Sequence, residues 1–202
     1  MVRMGHRVGN HTRRFLLVAL IVVGCMPAAL AQDLISPKAQ AEIAAGYKDF
    51  SDRVQAYVNL HKSVESTLPT LKPTDLPEMI AAHQQALARK IREARPQARR
   101  GAIFSEAAVK AFRLTIRDEF RGPHGEGART TIRQGEPLTE VHLHVNETYP
   151  DGVPFTTVPP TLLLKLPKLP EKVAYRIVGR DLILLDVEAN LVVDRISEII
   201  PK

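Results

Sequence analysis

Positions Ile43, Tyr47, Phe50, Val54, Tyr57, His61, Val64 and Leu68 follow one another at alternating spacings of four and three. That is the period of one helix face sustained over about four heptads. Lys48, Asp49, Asp52, Arg53, Gln55, Asn59 and Lys62 fall between them as the solvent side. Ser36-Pro37 supplies an N-cap followed by proline at the first helical position, and Pro69 and Pro73 close the segment, so the pattern predicts a helix over residues 37–67. Thr74 or Asp75 caps a second helix with Pro77 and Glu78 in its first turn. Its apolar stripe is Leu76, Ile80, His83, Leu87, Ile91 and Ala94, and Pro96 and Gly101 end it. Two long helices joined by a short turn pack antiparallel. A third helix begins near Ser105-Glu106, buries Val109, Phe112, Ile116 and Phe120, and stops at Gly122.

Beyond a glycine-rich, poorly apolar stretch over residues 122–137, the period changes to two. Val141, Leu143 and Val145 alternate with His142, His144 and Asn146, which predicts a half-buried strand. Pro159-Pro160 leads into a short apolar helix closed by Pro167. Three short apolar runs over residues 173–178, 182–185 and 191–196 are separated by Gly179-Arg180 and Glu188-Ala189-Asn190. They predict an antiparallel meander, whose unbroken run 182–185 marks a strand covered on both faces. The expected fold class is α+β: an N-terminal antiparallel helical hairpin plus a third helix, then a small antiparallel C-terminal sheet. The expected organisation is an export signal over residues 1–31, a helical region over 32–121, a Gly-rich loop over 122–137 and a small antiparallel β region with one short helix over 138–202.

The export signal rests on Arg3, Arg7, Arg13 and Arg14, then the apolar run FLLVALIVV at 15–23, then Ala29-Leu30-Ala31 before Gln32. This is the order of a bacterial-type signal peptide, and the run falls short of the roughly 20 apolar residues a transmembrane helix needs. Val22-Val23-Gly24-Cys25 resembles the lipobox of bacterial lipoproteins, in which Cys25 is acylated and becomes the first residue. Either cut predicts a periplasmic or envelope-associated protein with no transmembrane span in the mature chain. Cys25 is the only cysteine, so disulfides, thiolate metal sites and cysteine nucleophiles are excluded from the mature domain.

Charge changes the picture locally. The chain carries 28 Lys and Arg against 22 Asp and Glu, but four of those cations lie in the signal, which leaves 24 against 22. Residues 89–121 hold ten basic and four acidic side chains. Arg89, Lys90, Arg92, Arg95, Arg99 and Arg100 form the dense part, a candidate patch for an anionic envelope surface or an acidic protein. Nucleic acid is not expected as a partner, because no aromatic residues interleave these cations as a stacking platform.

Candidate chemistry centres on histidine. His61 lies eight residues before Pro69 and His83 eight after Asp75, so in an antiparallel hairpin the two sit at one level across the seam. With Glu65 or Glu78 nearby they can bind a divalent transition metal such as zinc, copper or nickel; the alternative is a hydrogen-bonded pair of seam histidines. His142 and His144 share one strand face with Glu140, a second and weaker metal candidate whose alternative is a plain polar face. No Gly-x-Ser-x-Gly setting is present, and the carboxylates fall at helix ends and turns, so no catalytic residue and no cofactor are assigned.

The stretch Leu169-Pro170-Glu171-Lys172-Val173-Ala174-Tyr175-Arg176-Ile177-Val178-Gly179-Arg180-Asp181-Leu182-Ile183-Leu184-Leu185-Asp186, followed by Asn190-Leu191-Val192-Val193-Asp194, resembles the closing element of uncharacterised exported bacterial proteins. With Ile103-Phe104 before a helix and Tyr149-Pro150-Asp151-Gly152 before a proline-rich stretch, the likeness extends over most of the mature chain. About thirty C-terminal residues are also similar to small periplasmic proteins associated with nickel and cobalt homeostasis. Neither resemblance implies an activity or a ligand position. The expected function is a non-catalytic binding or structural role at the cell envelope. The runner-up is a periplasmic metal-binding accessory protein using His61 and His83, and a hydrolase stands third.

Overall fold

The computed structural model describes residues 36–134 and 141–201; the expected export signal with Cys25, Glu140 and the end of the expected loop lie outside the described residues. The described residues form helices α1 (Pro37–Glu65), α2 (Pro77–Ala94), α3 (Glu106–Arg121), α4 (Gly125–Gln134) and α5 (Pro160–Leu163), then strands β1 (Val173–Val178), β2 (Asp181–Asp186) and β3 (Leu191–Ile196). The fold is α+β, helices followed by a three-stranded antiparallel sheet in the order β1-β2-β3. Among the described residues no helix is long and apolar enough to cross a membrane.

Helix α1 starts where the Ser36 side chain accepts a bond from the Ala39 amide at 3.3 Å, with proline in the first turn. Its buried face carries Phe50, Val54, Tyr57 and His61, as the spacing predicts, and Val58 beside them. α1 packs chiefly on α3. Gly46 permits the approach, since a Cβ there would stand 2.5 Å from the Ala107 carbonyl oxygen and 2.8 Å from the Ala111 Cβ. α2 departs from its expected stripe. Leu87, Ala88 and Ile91 are buried, whereas Leu76, Met79 and Ile80 in its first half are about half exposed. Neither Thr74 nor Asp75 is the N-cap; Leu76 takes that position, and Thr74 Oγ1 accepts from the Leu76 amide at 3.2 Å.

Part of the expected Gly-rich loop is helical. In α4, Gly125, Ala128 and Ile132 recur at helical spacing and are all buried. A Cβ at Gly125 would fall 2.2 Å from the Phe120 carbonyl oxygen, so the glycine that suggests a loop is what lets α4 abut the end of α3. Residues 141–145 keep the expected alternation of burial, with Leu143 buried and His142 and His144 exposed, yet they form no strand. Backbone bonding to β3 comes just after them, from Asn146 N to Val192 O at 2.7 Å and from Val192 N to Glu147 O at 2.9 Å, with an isolated bridge between Thr148 and Leu191.

The sheet is covered on both faces, as the apolar run of β2 predicts. Leu182 and Leu184 face the helices with Tyr175, Ile177, Leu191 and Val193, in one core with Phe50, Phe104, Phe112 and Ile116. Ile183 and Leu185 join a second cluster with Val178, Val192, Leu143 and Tyr149. A bulge interrupts the β2–β3 register, so Leu184 pairs with Asp194 and Leu185 with Val192. The extra residue lets both Val193 and Asp194 address the helical layer.

Candidate functional site

Two buried aspartates on the sheet receive the helical layer. Asp194 is fully buried and accepts the amides of Gly101 at 3.0 Å, Ile103 at 2.7 Å and Phe104 at 2.8 Å, which fixes the chain entering α3. Asp186 ends β2 and is also fully buried. Its Oδ1 accepts the amides of Glu188 at 3.1 Å and Ala189 at 2.8 Å, which shapes the β2–β3 turn. Its Oδ2 accepts the Tyr57 hydroxyl at 2.6 Å and meets His61 Nδ1 at 2.6 Å. One carboxylate thus holds a turn and a helix together.

His61 sits on the buried face of α1, one turn beyond Tyr57, and has no exposed surface. Its Nε2 faces Glu188 Oε2 at 3.1 Å and Glu65 Oε2 at 3.6 Å. Ionised carboxylates only accept hydrogen bonds, so a carboxylate oxygen at each ring nitrogen favours the imidazolium. Burial pushes the imidazole down, but the bonds and charges of Asp186 and Glu188 outweigh it and hold the group above its ordinary 6.5. Lys172, from the chain leading into β1, completes the cluster at 2.6 Å from Glu188 and 3.0 Å from Glu65. Burial lowers its ammonium, and the two carboxylates more than restore it. Tyr57 is raised by burial and by the Asp186 charge.

Ligand atoms of His61, Glu65 and Glu188 lie within 4.8 Å of one another, close enough to hold a metal ion. The Asp186 bond to Nδ1 is the orienting contact that metal-bound histidines commonly have. A cation there would displace the proton on Nε2 and the Lys172 ammonium. His83, the expected partner of His61, is half-buried on α2 and is not part of this group. His142 and His144 are exposed; His144 lines a small hollow with Arg99, Arg100 and Arg195.

The expected basic patch divides. Arg95 turns inward: its guanidinium lies 4.9 Å over the Tyr57 ring, Nη2 points to the Val193 carbonyl, and Nη1 has no hydrogen-bond partner among the described residues. Arg92 donates to Thr148 at 3.2 Å and Lys90 pairs with Glu93 at 3.4 Å. Arg89, Arg99 and Arg100 are exposed. Arg100 donates to Ser197 Oγ at 3.4 Å, and Arg113 of α3 to the Ser197 carbonyl at 3.1 Å. One cation before α3 and one on α3 therefore meet at the same residue.

Sequence spacing brings out His61 but not Asp186, Glu188 or Lys172, which approach it from more than 100 residues away. The available signal is chemical: Asp186 and Asp194 each follow apolar residues in strands expected to be buried. Comparison of the chain with protein-family models, with curated proteins and with solved structures gives no match.

Proposed function

We propose that this is an exported cell-envelope protein with a binding role rather than a catalytic one, which engages an anionic partner through its basic surface. The observation that carries the reading is the meeting of Arg100 and Arg113 at Ser197, which brings a cation from each of two basic segments to one residue. The ionisable groups clustered around Asp186 are engaged with one another. His61, Asp186, Glu188 and Lys172 satisfy each other's charges, and Asp194 is occupied by backbone amides. Polyglutamate tests the binding: the protein should bind it in low salt and release it as salt rises, and R100E/R113E should bind far less. Equal binding by that variant would defeat the reading. The address is tested by intact-mass analysis of the processed protein from an envelope fraction, which should begin at Gln32 or at an acylated Cys25. A chain with Met1 retained in the cell interior would contradict export.

A second reading, a metal-binding accessory protein, draws on the grouping of His61 with Glu65 and Glu188. Imidazole with carboxylates suits zinc, copper or nickel. Stoichiometric metal on the purified protein, lost in Glu188→Gln, would promote it. A metal-free protein that takes up none of the three ions would end it.

A further inference from the structure

The outer face of α3 forms one side of a groove of about 1130 Å³, whose lining runs from Glu106 to Arg121 and includes Arg129 of α4 and Ile199 near the C-terminus. Sixteen residues of helix make it about 24 Å long. Arg113, Arg117 and Arg121 recur at intervals of four along its length and are all exposed. Like charges one turn apart destabilise an isolated helix. Neighbouring cations are already engaged: Lys110 pairs with Glu42 at 2.8 Å, and Arg129 donates to the Phe120 carbonyl at 3.1 Å. Of the groove's acids, Glu106 occupies the first turn of α3, where it complements the helix dipole, and Glu198 pairs with Arg180 at 3.3 Å. Arg117 and Arg121 have no ion-pair or hydrogen-bond partner among the described residues. Between the charges the lining is aliphatic: Leu114 is half-buried, while Val109 and Ile199 lie deeper, against the core.

We propose that this groove seats an acidic amphipathic helix of a partner protein, with carboxylates one turn apart against Arg113, Arg117 and Arg121 and an apolar side chain on Leu114. The proposal rests on the basic-surface reading above and names its partner. Charge complementarity selects the occupant. An anionic lipid carries its charge at one end, whereas these cations are distributed along the groove at about 6 Å intervals. A polyanion such as nucleic acid or a cell-wall polymer matches the charges but leaves Leu114 uncovered, and the one aromatic residue of the lining, Phe120, is buried and offers no face to stack a base. A helix with Glu at every fourth position and Leu on the adjoining face satisfies both, at the 8–10 Å separation usual for packed helices.

The test uses the purified protein and a synthetic helical peptide of that design, with a scrambled peptide of equal charge, polyglutamate and phosphatidylglycerol vesicles as competing probes. The designed peptide should bind at least about tenfold more tightly than the scrambled one, a difference of about 1.4 kcal/mol. R117E/R121E should abolish that preference, and L114Q should remove it while leaving polyglutamate binding unchanged; circular dichroism confirms that both variants are folded. Equal binding of designed and scrambled peptides, with polyglutamate still bound through Arg100 and Arg113, would overturn the groove and leave the basic-surface reading intact. Preference for vesicles over the peptide would assign the groove to lipid and overturn the proposal. Loss of every anionic probe would remove both readings.

Discussion

His61 and Asp186, 125 positions apart in sequence, meet through Nδ1 and Oδ2 at 2.6 Å with neither side chain exposed to solvent. The pair ties α1 to the end of β2, and through the other oxygen of Asp186 to the β2–β3 turn. Removing one partner of a buried pair strands the other charge, at a cost of about 3–5 kcal/mol. Asp186→Asn should therefore lower stability by about that much in urea unfolding. A loss under about 1 kcal/mol would show that the contact is not sustained.

The same pair sets a pH dependence. The His61 imidazolium is held above its ordinary 6.5 in the folded protein, so its stabilisation is complete below that value and is lost as pH rises through the higher native value. With chelator present to exclude metal, the melting temperature should fall over that interval as the ring loses its proton. Asp186→Asn should flatten the decline. A melting temperature that rises across it would reverse the assignment of the ring as an imidazolium.

Two glycines should respond to alanine in opposite directions. At Gly46 the added Cβ meets the backbone of α3 at 2.5 Å, and overpacking of about 1–3 kcal/mol exceeds the roughly 1 kcal/mol gained in helix propensity. At Gly127 of α4 nothing lies within 4 Å, so Gly127→Ala should stabilise by about 0.5–1 kcal/mol. Thermal unfolding of the two variants checks the pair of signs.

Asp194 anchors the entry to α3 by three backbone amides. Asp194→Ala leaves buried donors unsatisfied, each worth about 1–3 kcal/mol. Hydrogen exchange should accelerate at the Ile103 and Phe104 amides by more than at helix α4. Uniform acceleration across the chain would indicate global destabilisation only.

Much of the fold was legible because periodicity follows burial. The stripe from Tyr47 to Val64 lies inward on α1, and the run from Leu182 to Leu185 is buried on both faces of the sheet. The place of Arg95 is legible too: it stands four residues after Ile91 and eight after Leu87, in phase with the buried side of α2 and out of phase with the surface cations. α4 was hidden because its glycines mimic a loop while serving a close helix contact. The partner of His61 was hidden for a different reason. Equal distance from a turn pointed to His83, but the end of α1 packs against the β2–β3 turn, and a contact across 125 residues leaves no local trace.

The residues that hold the fold are distinct from those proposed to meet a partner, and one comparison tests that division most directly: stability and polyglutamate binding measured side by side for Asp186→Asn and for R100E/R113E. Asp186→Asn should lose stability yet, at a temperature where it is folded, bind as the unaltered protein does, while R100E/R113E should keep its stability and lose binding. A folded Asp186→Asn that no longer binds, or an R100E/R113E that binds undiminished, would contradict it.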